Sequence, residues 1–341
     1  MKPLKLKPDD LDYLSQCAIA AARQAGQLIA SYASKTVAVE HKRGGGNLAS
    51  QVVTEVDLLS EAAIVKALMP GCKQYDLALL TEERADDKTR LQKDYFWCID
   101  PLDGTLNFIN STIVDSTFVG STLVNTTMLE STNTNITAGY TVSIALVSQD
   151  GTPLIGVVYD PVTHTLYTAV KGQGAFRNGK PWSVASPASM REKTLTKMQE
   201  RPLTLAIDRS LLQQPYYPHL YQALVSLANQ RGYAGLQTLQ PGGAVMNACQ
   251  VLENPPACYV KCPKPGEGGG SLWDFAATAL IFHELGAVAS DAYGQALDLN
   301  RADSTFMNHR GTIFATDQAL ATDLQGVLEQ CMGNAGPNRS N

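Results

Sequence analysis

Two segments in the first part of the chain carry apolar residues at helical spacing. One apolar stripe predicts a helix over about residues 9–33, which either Asp9 or Asp10 can cap. The segment VDLLSEAAIVKAL predicts a second amphipathic helix. We expect this helix to end at Pro70-Gly71, since proline breaks the helical hydrogen-bond pattern and glycine favours helix ends.

Other segments have the apolar runs and the alternation that are typical of strands. YDLALL predicts a strand before Thr81, and the apolar run at residues 95–99 predicts a buried one. We expect the latter to end at Asp100, because Pro101 lacks a backbone donor. From Tyr140 onward, YTVSIALVS, TPLIGVVYDP and HTLYTAVKGQGAFRNGKPW are separated by turn residues and predict a β-meander.

Strands and helices alternate after about residue 195. The predicted strands are LTLAI, LQTL, ACYVK and AVASD, and the predicted helices are YPHLYQALVSLANQ, AVMNACQVL and WDFAATALIFHEL. Such alternation is typical of an α/β unit. We therefore expect an α+β first domain over residues 1–195, an α/β second domain over 196–332, and a flexible tail at 333–341.

Two stretches interrupt these patterns. HKRGGGNLAS is glycine-rich and predicts a mobile loop that closes on the functional site. Residues 111–139 hold two acidic residues, no Lys or Arg, and many Ser, Thr and Asn. A long loop of this kind is either a solvated insertion or a lid or hairpin flap. The flap is suggested by the position of this stretch, which begins shortly after DPLDGT.

Composition and charge exclude several classes of protein. The 341 residues are 44% hydrophobic and 17% charged, as expected for a globular protein of about two domains. The net charge of −5, without any basic run, argues against a nucleic-acid polymer as partner. Seven scattered cysteines without a C-x-x-C pair predict reduced thiols. Without a long apolar run or a signal-type start, we expect a cytoplasmic protein that makes no membrane contact.

Acidic residues lie at the ends of several predicted elements: Asp57 in VTEVD, Glu82 and Glu83 in LLTEE, Asp100 and Asp103 in DPLDGT, and Asp274 in SLWDFAA. Asp57 and Asp274 precede apolar helical runs, so each could be a plain N-cap. The glutamate pair could belong to a solvated loop. DPLDGT resists such an explanation, because a tight turn requires Asp-Gly but no second carboxylate.

Carboxylates that meet from different elements suit magnesium. Mg²⁺ prefers one or two carboxylates plus phosphate oxygens, and two ions about 4 Å apart can share a carboxylate. If a strand runs through Glu82 and Glu83, only one of the two side chains enters such a site. The backbone N–H groups of Gly104 and Thr105 then offer donors to a phosphate, as at a helix N-terminus.

Three segments together resemble the signature segments of a known family. WCIDPLDGTLNF, LLTEE upstream and SLWDFAATALIFHELGAVASD downstream are similar to those of the inositol monophosphatase family, the lithium-sensitive, Mg-dependent phosphatases. The similarity extends from the first helix to about residue 318 and includes GVVYDPVTHTLYTAVKGQGAFRNGKP. It implies a layered αβαβα sandwich of the inositol monophosphatase/fructose-1,6-bisphosphatase type, commonly a homodimer.

The resemblance also implies roles for individual residues. The ligands of two to three Mg²⁺ ions, for which Mn²⁺ can substitute, would be Glu82, Asp100, the carbonyl of Leu102, Asp103 and Asp274. Asp100 would bridge two ions, and Glu82 would hold a third, weaker one. Thr105, helped by Asp57, would orient or deprotonate the attacking water. Gly104 and Thr105 would bind the phosphate through their N–H groups, and Asp274 would also face the substrate.

The implied reaction is the hydrolysis of a small phosphate monoester by metal-activated water, with inositol monophosphate as the first expected substrate. Three departures bear on the substrate: the stretch at 111–139, the PGEGGG segment, which we interpret as a flexible extension, and Lys261. Inositol-cleaving members resemble one another in having a Glu at the position of Lys261 that grips a ring hydroxyl. Lys261 and STFMNHRG instead resemble the 3'(2'),5'-bisphosphate nucleotidase branch, and Asn107 resembles the inositol branch.

Several alternatives stay open. Lys261 could meet a second phosphate, or it could be a snorkelling surface lysine. Gly242, Gly243 and Ala244 open a helix and could donate to substrate hydroxyls, or simply cap that helix. A non-catalytic metal- or phosphate-binding regulator should have lost a ligand or Thr105, and neither is lost. A kinase-like nucleotide-binding protein would need a G-x-x-x-x-G-K-[ST] loop, which this sequence lacks.

Overall fold

The computed structural model describes residues 6–33, 39–41, 52–112, 139–184 and 200–333. Three predictions fall outside these ranges: the conformation of most of the 111–139 stretch, the HKRGGGNLAS loop apart from His41, and the tail beyond residue 333. The boundary expected at residue 195 also lies outside them, so the division into two domains stays a prediction.

The described residues form seven α-helices and fourteen strands. The helices are α1 (Pro8–Tyr32), α2 (Glu55–Tyr75), α3 (Thr105–Thr112), α4 (Tyr217–Gln230), α5 (Ala244–Glu253), α6 (Leu272–Glu284) and α7 (Gln318–Gly333). The strands are β1 (Val39–His41), β2 (Val52–Thr54), β3 (Ala78–Thr81), β4 (Tyr95–Asp103), β5 (Thr141–Ser148), β6 (Pro153–Asp160), β7 (Thr165–Val170), β8 (Gly174–Arg177), β9 (Lys180–Pro181), β10 (Leu203–Ala206), β11 (Leu236–Leu239), β12 (Ala257–Lys261), β13 (Val288–Ser290) and β14 (Thr312–Ala315). Of these helices, none has the combination of length and apolarity that a membrane span requires.

Two larger sheets organise the chain. The first has seven strands in the order β3-β4-β5-β6-β7-β8-β9, parallel only between β3 and β4. The predicted meander from Tyr140 is therefore confirmed. The second sheet has the order β11-β10-β12-β14-β13. β1 and β2 form a separate antiparallel pair.

Helices cover both sheets and form an αβαβα sandwich, as expected. α1 and α2 pack on the outer face of the first sheet, where Trp97 and Ile99 of β4 join their core. α5 and α6 lie between the sheets, in a core that includes Phe96 of β4 and Phe314 of β14. α4 and α7 close the outer face of the second sheet. β4 is thus buried on both faces, which explains its continuous apolar run.

The expected end of β4 at Asp100 is wrong. The strand continues to Asp103, and its pairing with β5 shifts register between Asp100, opposite Ser143, and Asp103, opposite Thr141. Three steps along β4 therefore face two steps along β5, which is a β-bulge. Pro101 lies inside this irregularity, where its missing N–H is tolerated.

The expected end of α2 at Pro70-Gly71 is also wrong. Pro70 lies inside the helix, which runs on to Tyr75. The last turns are held by α1: a Cβ on Gly71 would lie 2.9 Å from Leu14, and the Tyr75 hydroxyl donates to Asp10 at 2.9 Å. Tertiary packing thus compensates for the hydrogen bond that proline removes.

Smaller differences concern caps and strand direction. α1 begins at Pro8 with Lys7 as its N-cap, and Asp10 accepts from the Lys7 N–H as the third helical residue. The second sheet is mixed, because β14, which was not predicted, runs antiparallel to both β12 and β13. α7 was not predicted either. All seven cysteines are free, and all except Cys17 are buried.

Candidate metal and phosphate site

Three carboxylates converge between the two sheets. Carboxylate oxygens of Asp100, Asp103 and Asp274 all lie within 4.8 Å of one another, a spacing that suits metal ligands. Asp100 and Asp103 come from the end of β4, and Asp274 comes from the first turn of α6. The predicted meeting of DPLDGT with SLWDFAA is therefore present in the structure.

The bulge in β4 explains the spacing of Asp100 and Asp103. In a regular strand, residues three apart point to opposite faces of the sheet. The extra residue between Asp100 and Asp103 cancels this offset, so that both side chains face the space between the sheets. The irregularity beside Pro101 thus places the second carboxylate of the motif in the cluster.

Helix caps position Asp274 and Asp57. Asp274 is the third residue of α6, and its carboxylate accepts from the Ser271 N–H at 2.7 Å. Asp57 is the third residue of α2 and accepts from the N–H of Thr54 at 2.8 Å. Both are therefore partners in capping boxes rather than N-caps. Because each carboxylate has a second oxygen, the capping function leaves it able to serve the site.

Asp103 connects the two halves of the chain. Its carboxylate accepts from the backbone N–H groups of Ala244 and Val245, both at 3.1 Å, at the start of α5. A Cβ on Gly243 would overlap this carboxylate, so glycine permits the close approach. The N–H of Gly243 donates to Gly139 at 3.1 Å.

These bonds change the expectation for the start of α5. Gly242, Gly243 and Ala244 do line the cavity, but their N–H groups already donate within the protein. The Gly242 N–H donates to Asn247 at 3.3 Å. The occupied donors favour the capping alternative for these three residues, and their backbone contacts to substrate hydroxyls stay a prediction.

Electrostatics make the carboxylate cluster a site for a cation. Burial, and then the charges of Glu82, Asp103 and Asp274, raise the pKa of Asp100 well above its ordinary value. Burial and Asp274 do the same to the pKa of Asp103. Burial raises the pKa of Asp274 to about 6, although Lys261 works in the opposite direction. Without a counter-charge, these buried acids therefore favour the protonated form.

One atom in the cluster tests whether a metal fits. Asp100 Oδ2 is buried and has no hydrogen-bond partner, while Asp100 Oδ1 accepts from the Leu102 N–H at 3.0 Å. An unpaired buried carboxylate oxygen is costly, and a cation among three carboxylates would satisfy it. Oxygen donors alone favour Mg²⁺, Ca²⁺ or Mn²⁺ over softer metals. The residues present fit such an ion.

Glu82 and Leu102 line the same cavity as the cluster. β3 ends at Thr81, so Glu82 lies in the turn after the strand rather than within it. Its charge contributes to the raised pKa values of Asp100, Asp103 and Asp274. Glu82 therefore lies close to the three aspartates, although it is not one of the group within 4.8 Å.

Thr105 and Asp57 form a second, smaller unit beside the cluster. Thr105 Oγ1 lies 2.9 Å from Asp57 Oδ1 and 3.2 Å from the Leu102 carbonyl oxygen. Asp57 Oδ2 accepts from the Thr54 hydroxyl at 2.6 Å. Burial raises the pKa of Asp57, and its hydrogen bonds to Thr54 and Thr105 oppose that shift. Thr105 also lines the cavity, so its oxygen can face a ligand.

The DGT turn presents backbone donors to the same cavity. Gly104 has φ +87°, and a Cβ there would overlap the Gly139 carbonyl, so only glycine fits the turn. Thr105 begins α3, whose first N–H groups have no acceptor within the helix. The start of α3 therefore faces the cavity with a partial positive charge.

Lys261 is not a surface lysine. Its side chain is 16% exposed and lies in the cavity wall, where Nζ pairs with Asp208 Oδ2 at 3.0 Å. Burial works to lower the pKa of Lys261, but Asp208 and then Asp274 outweigh it, so the pKa is raised and the amine is charged. The snorkelling alternative is therefore wrong.

Asp208 was not among the residues predicted from the sequence. It lies two residues after the end of β10 and accepts from the Asn247 amide at 2.8 Å and from the Tyr259 hydroxyl at 3.0 Å. An acid after the apolar run LTLAI is the same kind of signal that singled out Asp100. That signal could have identified Asp208 as a site residue.

The PGEGGG segment is hydrogen-bonded to STFMNHRG, and its predicted flexibility stays a prediction. The Asn308 side chain donates to the Gly266 carbonyl at 2.6 Å, and the Met307 N–H donates to the Gly270 carbonyl at 2.9 Å. Gly268 to Gly270 line the cavity, whose volume is about 210 Å³. STFMNHRG, singled out in the sequence, thus supports this wall.

Comparison with known proteins agrees with this geometry. The model of the inositol monophosphatase family matches residues 10–331. Nus factor SuhB of Haemophilus influenzae is 28% identical over 317 residues, which cover 93% of this chain and 96% of that protein. Inositol-1-monophosphatase of Synechocystis sp. is 28% identical over 327 residues, which cover 96% of this chain and 92% of that protein.

Solved structures extend the comparison to the fold. The IMPase of Thermotoga maritima superposes with a TM-score of 0.64 at 22% identity, covering 96% of this chain and 100% of that one. At this level of identity the likeness concerns the fold, and it agrees with the αβαβα layering described above.

Proposed function

The chain belongs to the inositol monophosphatase family, and we propose that it hydrolyses small phosphate monoesters with the help of magnesium. The observation that carries this proposal is the cluster of Asp100, Asp103 and Asp274, in which Asp100 Oδ2 is buried without a partner. Such a cluster favours a cation, and a cation beside donors for a phosphate suits phosphoryl transfer to water.

The proposed ligands are those that the resemblance implied: Glu82, Asp100, the carbonyl of Leu102, Asp103 and Asp274. Two to three Mg²⁺ ions, or Mn²⁺ in their place, would neutralise phosphate charge and increase the acidity of water there. Asp103 would serve as a ligand while still accepting from Ala244 and Val245, because a carboxylate has about four acceptor sites.

Thr105 and Asp57 supply the proposed group that positions the attacking water. When Thr105 donates its hydroxyl proton to Asp57, the Thr105 oxygen is left as an acceptor. A water that donates to this oxygen is oriented and can pass a proton towards Asp57. The N–H groups of Gly104 and Thr105 would bind the phosphate oxygens from the other side. The reaction would then proceed by direct attack on phosphorus, without a phospho-enzyme.

The family resemblance implies two candidate substrates. Inositol monophosphate is the first, and a 3'(2'),5'-bisphosphate nucleotide such as 3'-phosphoadenosine 5'-phosphate is the second. The second is favoured by Lys261, which lines the cavity as a charged amine. The choice between them depends on which group of the substrate meets this lysine.

A second class of function is a non-catalytic regulator that uses the same pocket. One relative is named Nus factor SuhB, a name that describes no enzyme, and this name supports the regulator as a second candidate. The retention of Thr105, Asp57 and the acidic cluster favours catalysis, since a purely binding site has no need of a group that orients water.

Released phosphate tests the proposal directly. We expect Mg-dependent turnover when inositol 1-phosphate, 3'-phosphoadenosine 5'-phosphate and fructose 1,6-bisphosphate are compared side by side. Asp100→Asn should lower kcat by about 10³-fold or more, since metal charge stabilisation is worth several kcal/mol. Normal turnover in that variant would refute the metal assignment. Metal binding without phosphate release from any substrate would favour the regulator.

Three further properties rest on the family resemblance. We propose that Li⁺ inhibits at millimolar-order concentrations, that the protein is a homodimer, and that it acts in the cytoplasm on small phosphorylated molecules. A Li⁺ titration of the phosphate-release assay tests the first. Light scattering of the purified protein tests the second, and fractionation of the native cells tests the third.

A further inference from the structure

One face of α2 carries polar side chains that are buried. Asp57, Ser60 and Glu61 lie three and four residues apart, which places them on the same side of the helix, and each is exposed by 4% or less. Asp57 is the partner of Thr105, whereas Ser60 and Glu61 have no part in the reaction described above. A buried polar group is costly unless it is hydrogen-bonded, so the partners of Ser60 and Glu61 indicate their function.

Glu61 contacts both sides of the turn that carries Glu82. Its Oε1 accepts from the Thr81 hydroxyl at 2.5 Å and lies 2.7 Å from Arg84 Nε. Thr81 directly precedes Glu82, and Arg84 follows it by two residues. Thr81 and Glu61 are buried, whereas Arg84 is largely exposed. The bond from Thr81 to Glu61 is therefore the one that water cannot readily replace.

The direction of the Thr81 side chain decides where Glu82 points. Leu79 packs against the core beneath α1 and α2, whereas Leu80 belongs to the core between the two sheets. Because side chains alternate along a strand, Thr81 faces α2 and the next residue faces the space that holds the acidic cluster. The Glu82 N–H donates to the Ile99 carbonyl at 3.2 Å, which continues the pairing with β4 beyond the end of β3. Holding Thr81 against α2 therefore holds Glu82 on the side of the cluster.

Ser60 connects the same helix to the bulge in β4. Its hydroxyl donates to the Pro101 carbonyl at 2.8 Å, and both residues are buried. Pro101 lies between Asp100 and Leu102, whose carboxylate and carbonyl are proposed ligands. The regular pairing of β4 with β5 is interrupted here, so this bond from α2 supports the bulge from another element. One helix face thus bonds to the segments on both sides of the proposed metal.

From these contacts, and resting on the proposed function, we propose that Glu61 is a positioning residue for Glu82. Glu61 is not among the described residues that line the cavity, so it acts through Thr81 and the turn that follows. The helix that carries it is also bonded to the bulge with Asp100, and this fixes the separation of two ligands from different strands. Residues that orient metal ligands contribute about 10- to 100-fold to metal affinity.

Metal binding in the absence of substrate tests the proposal. Glu61→Met keeps the length of the side chain but removes the acceptor, and we expect the Kd for Mn²⁺, measured by calorimetry, to rise about tenfold or more. Glu61→Gln keeps an amide oxygen that can accept from Thr81, so it should retain most of the affinity. Thr81→Val removes the same hydrogen bond from the other partner and should resemble Glu61→Met.

The phosphate-release assay gives a second measurement. We expect the Mg²⁺ concentration at half-maximal rate to rise in Glu61→Met by about the same factor as the Kd. Excess Mg²⁺ should restore most of kcat, because Glu61 itself touches neither the substrate nor the attacking water. A residue that only stabilised the fold would lower Tm without changing either metal concentration.

Glu253 provides the matched control. Its Oε1 also accepts from a hydroxyl and an arginine, namely from Tyr167 at 2.9 Å and from Arg177 Nε at 2.7 Å. None of these three residues is among the described residues of the cavity wall. Glu253→Met should therefore lower Tm but leave the Kd for Mn²⁺ unchanged. The comparison separates a loss of stability from a loss of ligand placement.

An unchanged Kd for Mn²⁺ in Glu61→Met and Thr81→Val would overturn the inference and leave the proposed function standing. So would an equal rise in Kd in Glu253→Met, because the effect would then follow stability alone. If Glu61→Met does not fold, Thr81→Val decides, since it leaves the Glu61 carboxylate paired with Arg84. A wild-type protein that binds no Mn²⁺ would refute the proposed function, and this inference with it.

Discussion

Asp57 and Thr105 are 48 positions apart in the sequence, yet their side-chain oxygens lie 2.9 Å apart beside the acidic cluster. The carboxylate of Asp57 is buried and is held on its other side by Thr54. Thr105 therefore has a fixed acceptor for its proton. This arrangement leaves the Thr105 oxygen to act on a water or a ligand in the cavity.

Replacing Thr105 tests this arrangement. Thr105→Val keeps the shape but removes the hydroxyl, and we expect kcat to fall by about 10²- to 10⁴-fold, the usual contribution of a positioned acid–base group. Thr105→Ser keeps the hydroxyl and should retain most of the activity. The phosphate-release assay compares the two variants. A valine variant with wild-type kcat would show that the Asp57–Thr105 pair has no catalytic function.

Asp100 and Asp103 should differ in their effects on stability. Asp103→Asn places an amide N–H₂ against the N–H groups of Ala244 and Val245, and we expect a loss of about 1–2 kcal/mol in metal-free protein. Asp100→Asn removes an equal charge, and its amide oxygen can still accept the single bond from the Leu102 N–H, so it is the matched control and should unfold no earlier than wild type. Urea unfolding with EDTA measures both. Equal stability of the two variants would show that the hydrogen bonds from the start of α5 to Asp103 do not stabilise the fold.

Stability of the metal-free protein should depend on pH in an unusual direction. The folded-state pKa values of Asp100, Asp103 and Asp274 are raised, that of Asp274 to about 6, mainly by burial. The folded protein thus binds more protons than the unfolded chain, so stability from these groups is present at low pH and lost as pH rises through the folded pKa values.

Magnesium should reverse this trend, because it binds the ionised carboxylates. We expect the Mg-induced rise in Tm to be small at pH 5 and to grow towards pH 8, with much of the change near pH 6. Differential scanning fluorimetry with MgCl₂, and with NaCl at the same ionic strength as control, measures it. A rise in Tm that is independent of pH would contradict the involvement of these acids.

Arg90 should be important for stability. Its side chain is fully buried and donates to Asp86 at 2.8 Å, to Asn300 at 2.6 Å and to the Arg301 carbonyl at 2.8 Å. Arg90→Met leaves the Asn300 and Arg301 oxygens without this donor, whereas Asp86 keeps its contacts with Lys88, and we expect a loss of about 2–4 kcal/mol in urea unfolding.

The pair Lys93–Asp76 provides the control for Arg90. Its side chains are 36% and 80% exposed, and their charged atoms lie 2.5 Å apart. We expect Lys93→Met to cost less than about 1 kcal/mol, because water screens an exposed ion pair. If the two variants lose similar free energies of unfolding, burial does not explain the contribution of Arg90 to stability.

Much of the fold could be predicted because its signals are local. Each predicted helix and strand after residue 195 matches an observed element, since period and turn residues act over a few positions. The two expected proline breaks failed for a related reason. At Pro70 the packing of α1 against α2 outweighs the local effect, and at Pro101 a bulge accommodates it. Neither the helix packing at Pro70 nor the bulge at Pro101 can be recognised from the residues next to the proline.

The sequence by itself determined which residues are available for chemistry: the acids of DPLDGT and SLWDFAA, the DGT turn and Thr105 are evident from residue type and spacing. The tertiary structure alone decided which of them meet. A bulge brings the Asp103 side chain to the same side of the strand as that of Asp100. The first N–H groups of α5 donate to Asp103, and Lys261 pairs with Asp208. The physical reason is that side-chain direction and donor occupancy depend on contacts between residues distant in the chain, whereas local propensity depends on neighbours.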